Sequence, residues 1–203
     1  MREFFEKRAE TWDIQNPPAQ HAKAIGWGLG YLREGWGPLK GKTLVDLGCG
    51  TGVLLPHVLR ELGEGKLWAV DFAQAMVEAA KAKYADMRLH FVCEDALLWP
   101  LPEGSLDGVL CYNSFPHFPK KKALSKVASW LKPEGFFLIW HGHGRKHINS
   151  IHREAGGAVA RDSLIPAPTL VALARQAGFK EVAWVDEWQR WLVLLKKPQN
   201  PAE

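Results

Sequence analysis

The chain has 203 residues, of which 47% are hydrophobic and 24% are charged, and its formal net charge is +4. This composition is typical of one globular domain, and no uncharged apolar run approaches the roughly 18 residues that a membrane span needs. Its three cysteines, Cys49, Cys93 and Cys111, are too widely spaced for a zinc-ligand pair or a disulfide framework.

Along the chain, an irregular start gives way to a regular alternation of short apolar runs and amphipathic stretches. Residues 1–40 contain Pro17-Pro18 and five glycines, which predicts one or two short helices with mobile joints. The strands that we predict after this segment are 43–47, 66–70, 88–93, 106–111, 136–140, 181–185 and 190–196. The predicted helices are 53–62, 73–84, 121–131 and 168–177, with a turn over 132–135.

This alternation predicts an α/β fold in which helices cover both faces of a parallel sheet. The last two strands form a hairpin, which adds an antiparallel strand at or near one edge. Ligands of such sheets bind outside the carboxyl ends of the strands, where the strand order reverses.

A glycine loop, Asp46-Leu47-Gly48-Cys49-Gly50-Thr51-Gly52, follows the first predicted strand. Glycines let the backbone turn sharply and approach a ligand closely. The spacing Gly-x-Gly-x-Gly differs from the Gly-x-Gly-x-x-Gly of dinucleotide sites. A carboxylate at position 46 would repel a pyrophosphate but attract an ammonium group.

Two further carboxylates follow the next two strands. Asp71 ends the second strand, where a carboxylate can accept both hydroxyls of a ribose. Asp95 comes just after the third strand, where it can accept a hydrogen bond from an adenine amino group. A cationic amino acid joined to adenosine fits all three acids, whereas a dinucleotide fits only Asp71.

The glycine loop closely resembles the first motif of class I S-adenosylmethionine-dependent methyltransferases. Asp71-Phe72, Asp95-Ala96, Cys111-Tyr112-Asn113 and the turn 131–135 are similar to the motifs that follow it. The resemblance covers about residues 43–141. It implies a Rossmann-like, doubly wound seven-stranded sheet of order 3-2-1-4-5-7-6 with an antiparallel last strand.

The same resemblance implies S-adenosylmethionine as cofactor and S-adenosylhomocysteine as product. The loop backbone and Asp46 would hold the methionine part, Asp71 the ribose and Asp95 the adenine, with Phe72 packed on the adenine ring. The cofactor-binding residues that it implies are Asp46, Gly48, Cys49, Gly50, Gly52, Asp71, Phe72, Asp95, Ala96 and Tyr112.

Candidate catalytic residues follow the fourth and fifth strands: Asn113, His117 and His141. Methyl transfer requires alignment of the nucleophile, and it requires a base only if the nucleophile carries a proton. His117 is either such a base or a loop histidine that packs beside Phe115 and Phe118.

Four of the eight histidines lie within residues 141–152. If residues 147–155 form a helix, Asn149 and His152 share a face, and His141 and His143 point the same way at a strand end. The segment is interpreted as a polar substrate pocket, a metal site or a solvated loop. No metal is predicted, and the candidate ligands, should one bind, are His143, His147 and His152. A type 11-like subgroup of small bacterial methyltransferases carries a similar stretch, but this resemblance implies no substrate.

We therefore predict one methyltransferase domain with three parts: a helical lid over 1–40, a cofactor-binding core over 41–141 and a substrate-side insertion over 142–165. The expected acceptor is a small molecule. The alternative is a non-catalytic or metal- or metalloid-binding protein on the same fold. Acidic residues near the N-terminus do not suit a signal peptide, so a cytoplasmic protein without membrane or nucleic-acid partners is expected, as a monomer or homodimer.

Overall fold

The computed structural model describes residues 1–199, and a seven-stranded sheet forms the centre of the fold. The strand order is β3-β2-β1-β4-β5-β7-β6, and β7 is antiparallel to both of its neighbours, which confirms the predicted topology. The strands are β1 Thr43–Leu47, β2 Lys66–Asp71, β3 Leu89–Cys93, β4 Leu106–Tyr112, β5 Leu131–His141, β6 Lys180–Asp186 and β7 Trp191–Lys196.

Eight α-helices accompany the sheet within residues 1–199. They are α1 Arg2–Glu6, α2 Ala9–Gln15, α3 Pro18–Gly35, α4 Leu55–Leu62, α5 Gln74–Lys83, α6 Lys120–Trp130, α7 Arg145–Ala155 and α8 Ala167–Gln176. Single 3-10 turns occupy Phe115–His117 and Gly157–Val159. No helix of the described chain is long and apolar enough to cross a membrane.

The hydrophobic core has two main parts, one on each face of the sheet, and a small third cluster packs Ala9 of α2 against Met76 of α5. On one face, α6 and α8 bury side chains such as Trp130 and Leu170 against Phe137 of β5. On the other face, α3 and α4 bury Ile25 and Val58 among the side chains of the same strands. Strands buried on both faces are apolar almost throughout, which is why short apolar runs in the sequence located them.

The N-terminal region differs from its prediction. Three helices form instead of one or two, and α3 runs unbroken for 18 residues through Gly26, Gly28 and Gly30. A Cβ atom at Gly28 would lie 2.4 Å from Nε1 of the buried Trp140, so the glycine allows the helix to pack closely on β5. Tertiary packing here overrides the weak helix propensity of glycine.

The fifth strand also differs, because it begins before the predicted turn. Leu131 already pairs with Leu106, and the ladder resumes at Gly108 and Phe136 after an irregularity in register. Glu134 within this stretch has a φ of 68°, so the predicted turn is present as a distortion inside β5.

Candidate active site

A large cavity of about 1660 Å³ opens at the carboxyl ends of the central strands. It lies between β1 and β4, where the strand order reverses, as expected for a doubly wound sheet. Its volume exceeds the roughly 300–1,000 Å³ of a typical single-ligand pocket. The cavity therefore has room for two small molecules side by side.

The glycine loop forms one wall of this cavity. Gly48 and Gly50 have φ values of 74° and 52°, in the left-handed region that favours glycine. A Cβ atom at Gly48 would lie 2.4 Å from Oγ of Ser114, whose hydroxyl donates to the Leu47 carbonyl at 2.7 Å. No atom lies within 4 Å of the Cβ position at Gly50, so a ligand can approach the backbone there.

Asp46 lies behind the loop and is almost completely buried. Its Oδ2 atom has no hydrogen-bond partner among the described residues. Burial, together with the nearby Asp71, raises the pKa of Asp46 to about 8. A cation at the loop would favour the charged form of this carboxyl, so its environment fits a ligand that carries an ammonium group.

Asp71 lies at the end of β2 and faces the cavity. Its Oδ2 accepts the N–H of Gly50 and its Oδ1 accepts the N–H of Ala73, both at 2.9 Å. Burial raises the pKa of Asp71, and these backbone N–H groups partly offset the effect by stabilising the carboxylate. Each oxygen retains a lone pair, so the carboxylate can still accept ligand hydroxyls.

The cavity brings together most of the predicted cofactor-binding residues. Asp95 lines it, and its carboxylate is oriented by the N–H of Leu97, which donates to Oδ1 at 2.9 Å. The predicted residues that line the cavity are Gly48, Cys49, Gly50, Asp71, Phe72, Asp95 and Tyr112. Those that do not line it are Asp46, Gly52 and Ala96. The carboxylates, the open backbone and the aromatic ring are the groups that S-adenosylmethionine would need.

Tyr112 and Asn113 fasten the end of β4 to neighbouring elements. The Tyr112 hydroxyl lies 2.9 Å from Nδ1 of His21 on α3, and burial raises the pKa of this tyrosine well above its usual range. Asn113 has a φ of 56°, and its side-chain oxygen accepts the N–H of Gly142 at 2.9 Å. Asn113 thus joins the ends of β4 and β5, and it also lines the cavity.

His117 lines the cavity from the turn after β4. Its Nδ1 atom lies 2.8 Å from Oδ2 of Asp162, and the two side chains are only 12% and 17% exposed. The rings of His117 and Phe5 are 5.1 Å apart. His117 therefore packs beside Phe5 of the N-terminal segment, and it also carries a carboxylate partner.

His141, at the end of β5, is 1% exposed and does not line the cavity. Neither of its ring nitrogens has a hydrogen-bond partner in residues 1–199. Burial, and to a smaller extent the nearby His117 and His152, lower the pKa of His141 well below its usual value. The imidazole is therefore neutral at physiological pH.

The other three histidines of this segment lie on or near α7. The rings of His143 and His147 are 4.6 Å apart at the surface, and His152 places Nδ1 2.9 Å from the Asp162 carbonyl. Asn149 bonds both the N–H and the carbonyl of Leu164. No three His, Cys, Asp or Glu side chains of the described chain are arranged to hold a metal ion.

Sequence reasoning missed three carboxylates that build the site: Asp162, Glu6 and Asp13. Each acts on a residue that is distant in sequence, so no local motif signals it. The Glu6 carboxylate accepts the N–H groups of Gln74 and Ala75 at 2.7 and 2.8 Å. Asp13 accepts hydrogen bonds from Thr51 and Lys83, both at 2.6 Å. These contacts hold α1 and α2 over the cavity.

Comparisons with known proteins relate this chain to methyltransferases in sequence and in fold. A family model described as a methyltransferase domain matches residues 44–135. The O-methyltransferase cnsE of Penicillium expansum is 28% identical over 157 residues, which are 73% of this chain and 56% of that protein. The ubiquinone biosynthesis O-methyltransferase of Escherichia coli O127:H6 is 27% identical over 162 residues, 69% of this chain and 60% of that protein. The chain thus spans less than two thirds of the length of either relative.

A solved structure shares the fold at lower identity. The SAM-dependent methyltransferase from Aquifex aeolicus superposes with a TM-score of 0.66 at 20% identity, over 84% of this chain and 89% of that chain.

Proposed function

Because the chain belongs to the class I S-adenosylmethionine-dependent methyltransferases, we propose that it transfers a methyl group from S-adenosylmethionine to a small-molecule acceptor. The observation that carries this proposal is the arrangement of Asp71, Asp95 and the open backbone at Gly50 around one cavity. The unpartnered oxygen of Asp46 behind the same loop supports it.

In this proposal each carboxylate binds one part of the cofactor. Asp46 and the glycine-loop backbone hold the methionine part, Asp71 accepts the ribose hydroxyls, and Asp95 accepts the adenine amino group. Phe72, which lines the cavity beside Asp71, packs on the adenine ring. The bound cofactor supplies an electrophilic methyl group, and the protein aligns the acceptor with it and excludes water.

The acceptor would occupy the part of the cavity between the N-terminal helices and α7. The apolar side chains of Phe5, Ile148 and Val159 line the cavity, and they suit a small molecule with an apolar body. Asn113 positions the backbone at the reaction site, and His117 is the candidate base. The neutral His141 is buried behind the cavity wall, where it has a supporting role. No contact of the described residues favours metal binding as a second function.

Calorimetric titration with S-adenosylhomocysteine tests cofactor binding. We expect the wild type to bind the product, and we expect Asp71→Asn to bind it about 10- to 100-fold more weakly, because hydrogen bonds to a charged group contribute about 1.5–3 kcal/mol. Asp86→Asn, which changes a carboxylate paired with Arg88 away from the cavity, is the matched control. Absence of binding to folded wild-type protein would contradict the proposal.

A further inference from the structure

Building on the proposed function, we propose that His117 and Asp162 form a catalytic base and its positioning carboxylate, and that the methyl acceptor is a hydroxyl compound of the phenol type. His117 touches the cavity, whereas Asp162 acts only through His117. The inference rests on the 2.8 Å contact between Nδ1 of His117 and Oδ2 of Asp162, and on the way in which the fold immobilises both residues.

The backbone on both sides of His117 is held by one lysine. Nζ of Lys120 donates to the carbonyls of Pro116 and Phe118 at 2.6 and 3.1 Å. The ring itself lies edge-on to Phe5, with the centroids 5.1 Å apart. Because the backbone and the ring are both constrained, the imidazole has one well-defined orientation toward the cavity.

Asp162 is held by the histidine-rich helix α7. Nδ1 of His152 donates to the Asp162 carbonyl at 2.9 Å, and the Asp162 N–H donates to the carbonyl of Val159, also at 2.9 Å. Two residues further on, Asn149 bonds the N–H and the carbonyl of Leu164 at 2.8 and 3.0 Å. The segment that carries the carboxylate is thus bonded to α7 at Asp162 and Leu164, and to the preceding turn at Val159.

The pairing determines which nitrogen of His117 carries the proton. A carboxylate can only accept a hydrogen bond, so the contact with Asp162 places the proton on Nδ1. Nε2 then keeps its lone pair, because the hydrogen bond that this ring makes within the described residues is through Nδ1. Since His117 lines the cavity, this lone pair is available to a molecule bound there.

The chemical step follows from this arrangement. The acceptor oxygen forms a bond to the methyl carbon of the sulfonium as the carbon–sulfur bond breaks, and the electron pair of that bond stays on sulfur. The hydroxyl proton moves to Nε2 of His117, and the Asp162 carboxylate stabilises the imidazolium that results. S-adenosylhomocysteine and the methyl ether are the products.

A hydroxyl is the nucleophile that benefits most from such a base. A thiol, with an ordinary pKa of about 8.5, is partly ionised near neutral pH without help, whereas a phenol resembles tyrosine, with a pKa of about 10. A phenol also matches the aromatic and apolar walls that Phe5 and Ile148 provide, and the Phe5 ring lies beside His117. The pair and the cavity therefore favour the same class of acceptor.

The protonation of His117 can be measured without any substrate. In protein labelled with ¹⁵N at histidine, at a pH above that of histidine titration, we expect the His117 ring to show a protonated Nδ1 and a bare Nε2. The variant His117→Asn assigns these signals, and Asp162→Asn should reduce the preference for this tautomer. A wild-type His117 protonated on Nε2 would overturn the proposal.

Activity on a series of para-substituted phenols tests the role of the pair. We expect Asp162→Asn and His117→Asn to lower kcat by about 10²- to 10⁴-fold for phenols that stay protonated at the assay pH. The loss should be much smaller for an acidic phenol such as 4-nitrophenol, which is largely ionised already. Asn at position 117 can still donate to Asp162, so it removes the base while keeping the contact.

The controls separate this inference from the proposed function. Asp86→Asn should retain wild-type kcat on every phenol, and all variants should bind S-adenosylhomocysteine as the wild type does in calorimetry. An equal loss on all phenols would overturn the role of the pair, and wild-type protein that binds S-adenosylhomocysteine but methylates no phenol would overturn the acceptor class. A wild type that binds no S-adenosylhomocysteine contradicts the proposed function, whereas the ¹⁵N spectrum still reports on the pair.

Discussion

Two glycines on one helix have different roles in this fold. Gly28 faces the sheet, and a side chain there would overlap the indole of Trp140, whose Nε1 donates to the Ala24 carbonyl at 3.2 Å. Gly26, two residues earlier on α3, has no atom within 4 Å of the Cβ position. Gly28 is therefore required by close packing, whereas Gly26 contributes only the flexibility of glycine.

We expect Gly28→Ala to destabilise the protein and Gly26→Ala to stabilise it. Overpacking against the buried Trp140 costs about 1–3 kcal/mol, which outweighs the gain of up to about 1 kcal/mol from helix propensity at Gly28. At Gly26 only the propensity gain remains. Urea unfolding of the two variants measures both effects, and stabilisation by Gly28→Ala would contradict the close approach of α3 to β5.

At the scale of elements, α1 and α2 form a cover over the cavity that is fastened by polar contacts. Glu6 is near the N-terminus of α5, where two free N–H groups and the positive end of the helix dipole favour a carboxylate. Asp13 joins α2 to the glycine loop through Thr51. In contrast, α3 is anchored in the core by Ile25, Leu29 and Leu32, and only residues near its N-terminus, such as His21, reach the cavity.

Removal of the Glu6 contact should weaken cofactor binding. The variant Glu6→Ala leaves the N–H groups of α5 without their partner, which costs about 1–2 kcal/mol of the free energy that holds α1 against α5. We expect the apparent affinity for the cofactor product to fall by about 5- to 30-fold. Calorimetry with S-adenosylhomocysteine measures this change. Glu10→Ala, at an exposed position of α2, is the control. Unchanged affinity in Glu6→Ala would show that the cover does not contribute to binding.

At the scale of the whole molecule, buried titratable groups make stability depend on pH in two opposite ways. The pKa of Asp46 rises from 3.8 to about 8, so between these values the folded state holds a proton that the unfolded chain has lost, and stability falls as pH rises. The pKa of His141 lies well below 6.5, so below that pH the unfolded chain binds a proton that the folded state excludes, and stability falls as pH drops.

The variant Asp46→Asn isolates the contribution of Asp46 to the pH dependence of stability, because asparagine has a similar shape and does not titrate. Relative to the wild type, the ligand-free variant should gain stability from about pH 5 to pH 8, by up to about 1.4 kcal/mol per pH unit. Urea unfolding at several pH values measures the difference. A difference that stays constant with pH would mean that Asp46 is ionised in the folded protein.

Much of the fold could be predicted because its signals are local. Short apolar runs identified the central strands, since a strand buried on both faces has little choice of residue. The edge strand β6, which has no buried residue, does not follow this rule. The glycine loop and the positions of Asp71 and Asp95 at strand ends predicted a site at the edge of the sheet where the cavity opens. The sequence by itself thus determined the sheet and the glycine loop with its strand-end carboxylates, but not the contributions of Asp13, Glu6 and Asp162.

Only the tertiary structure decided how distant residues meet. His117 and Asp162 are 45 residues apart, and Glu6 lies 68 residues from Gln74, so no periodicity or motif connects them. Likewise, continuity of α3 through its glycines depends on the shape of Trp140, and the burial of His141 depends on the strands beside it. Local patterns record which face of an element is apolar, whereas contacts between elements depend on side-chain shapes that meet only after the chain has folded.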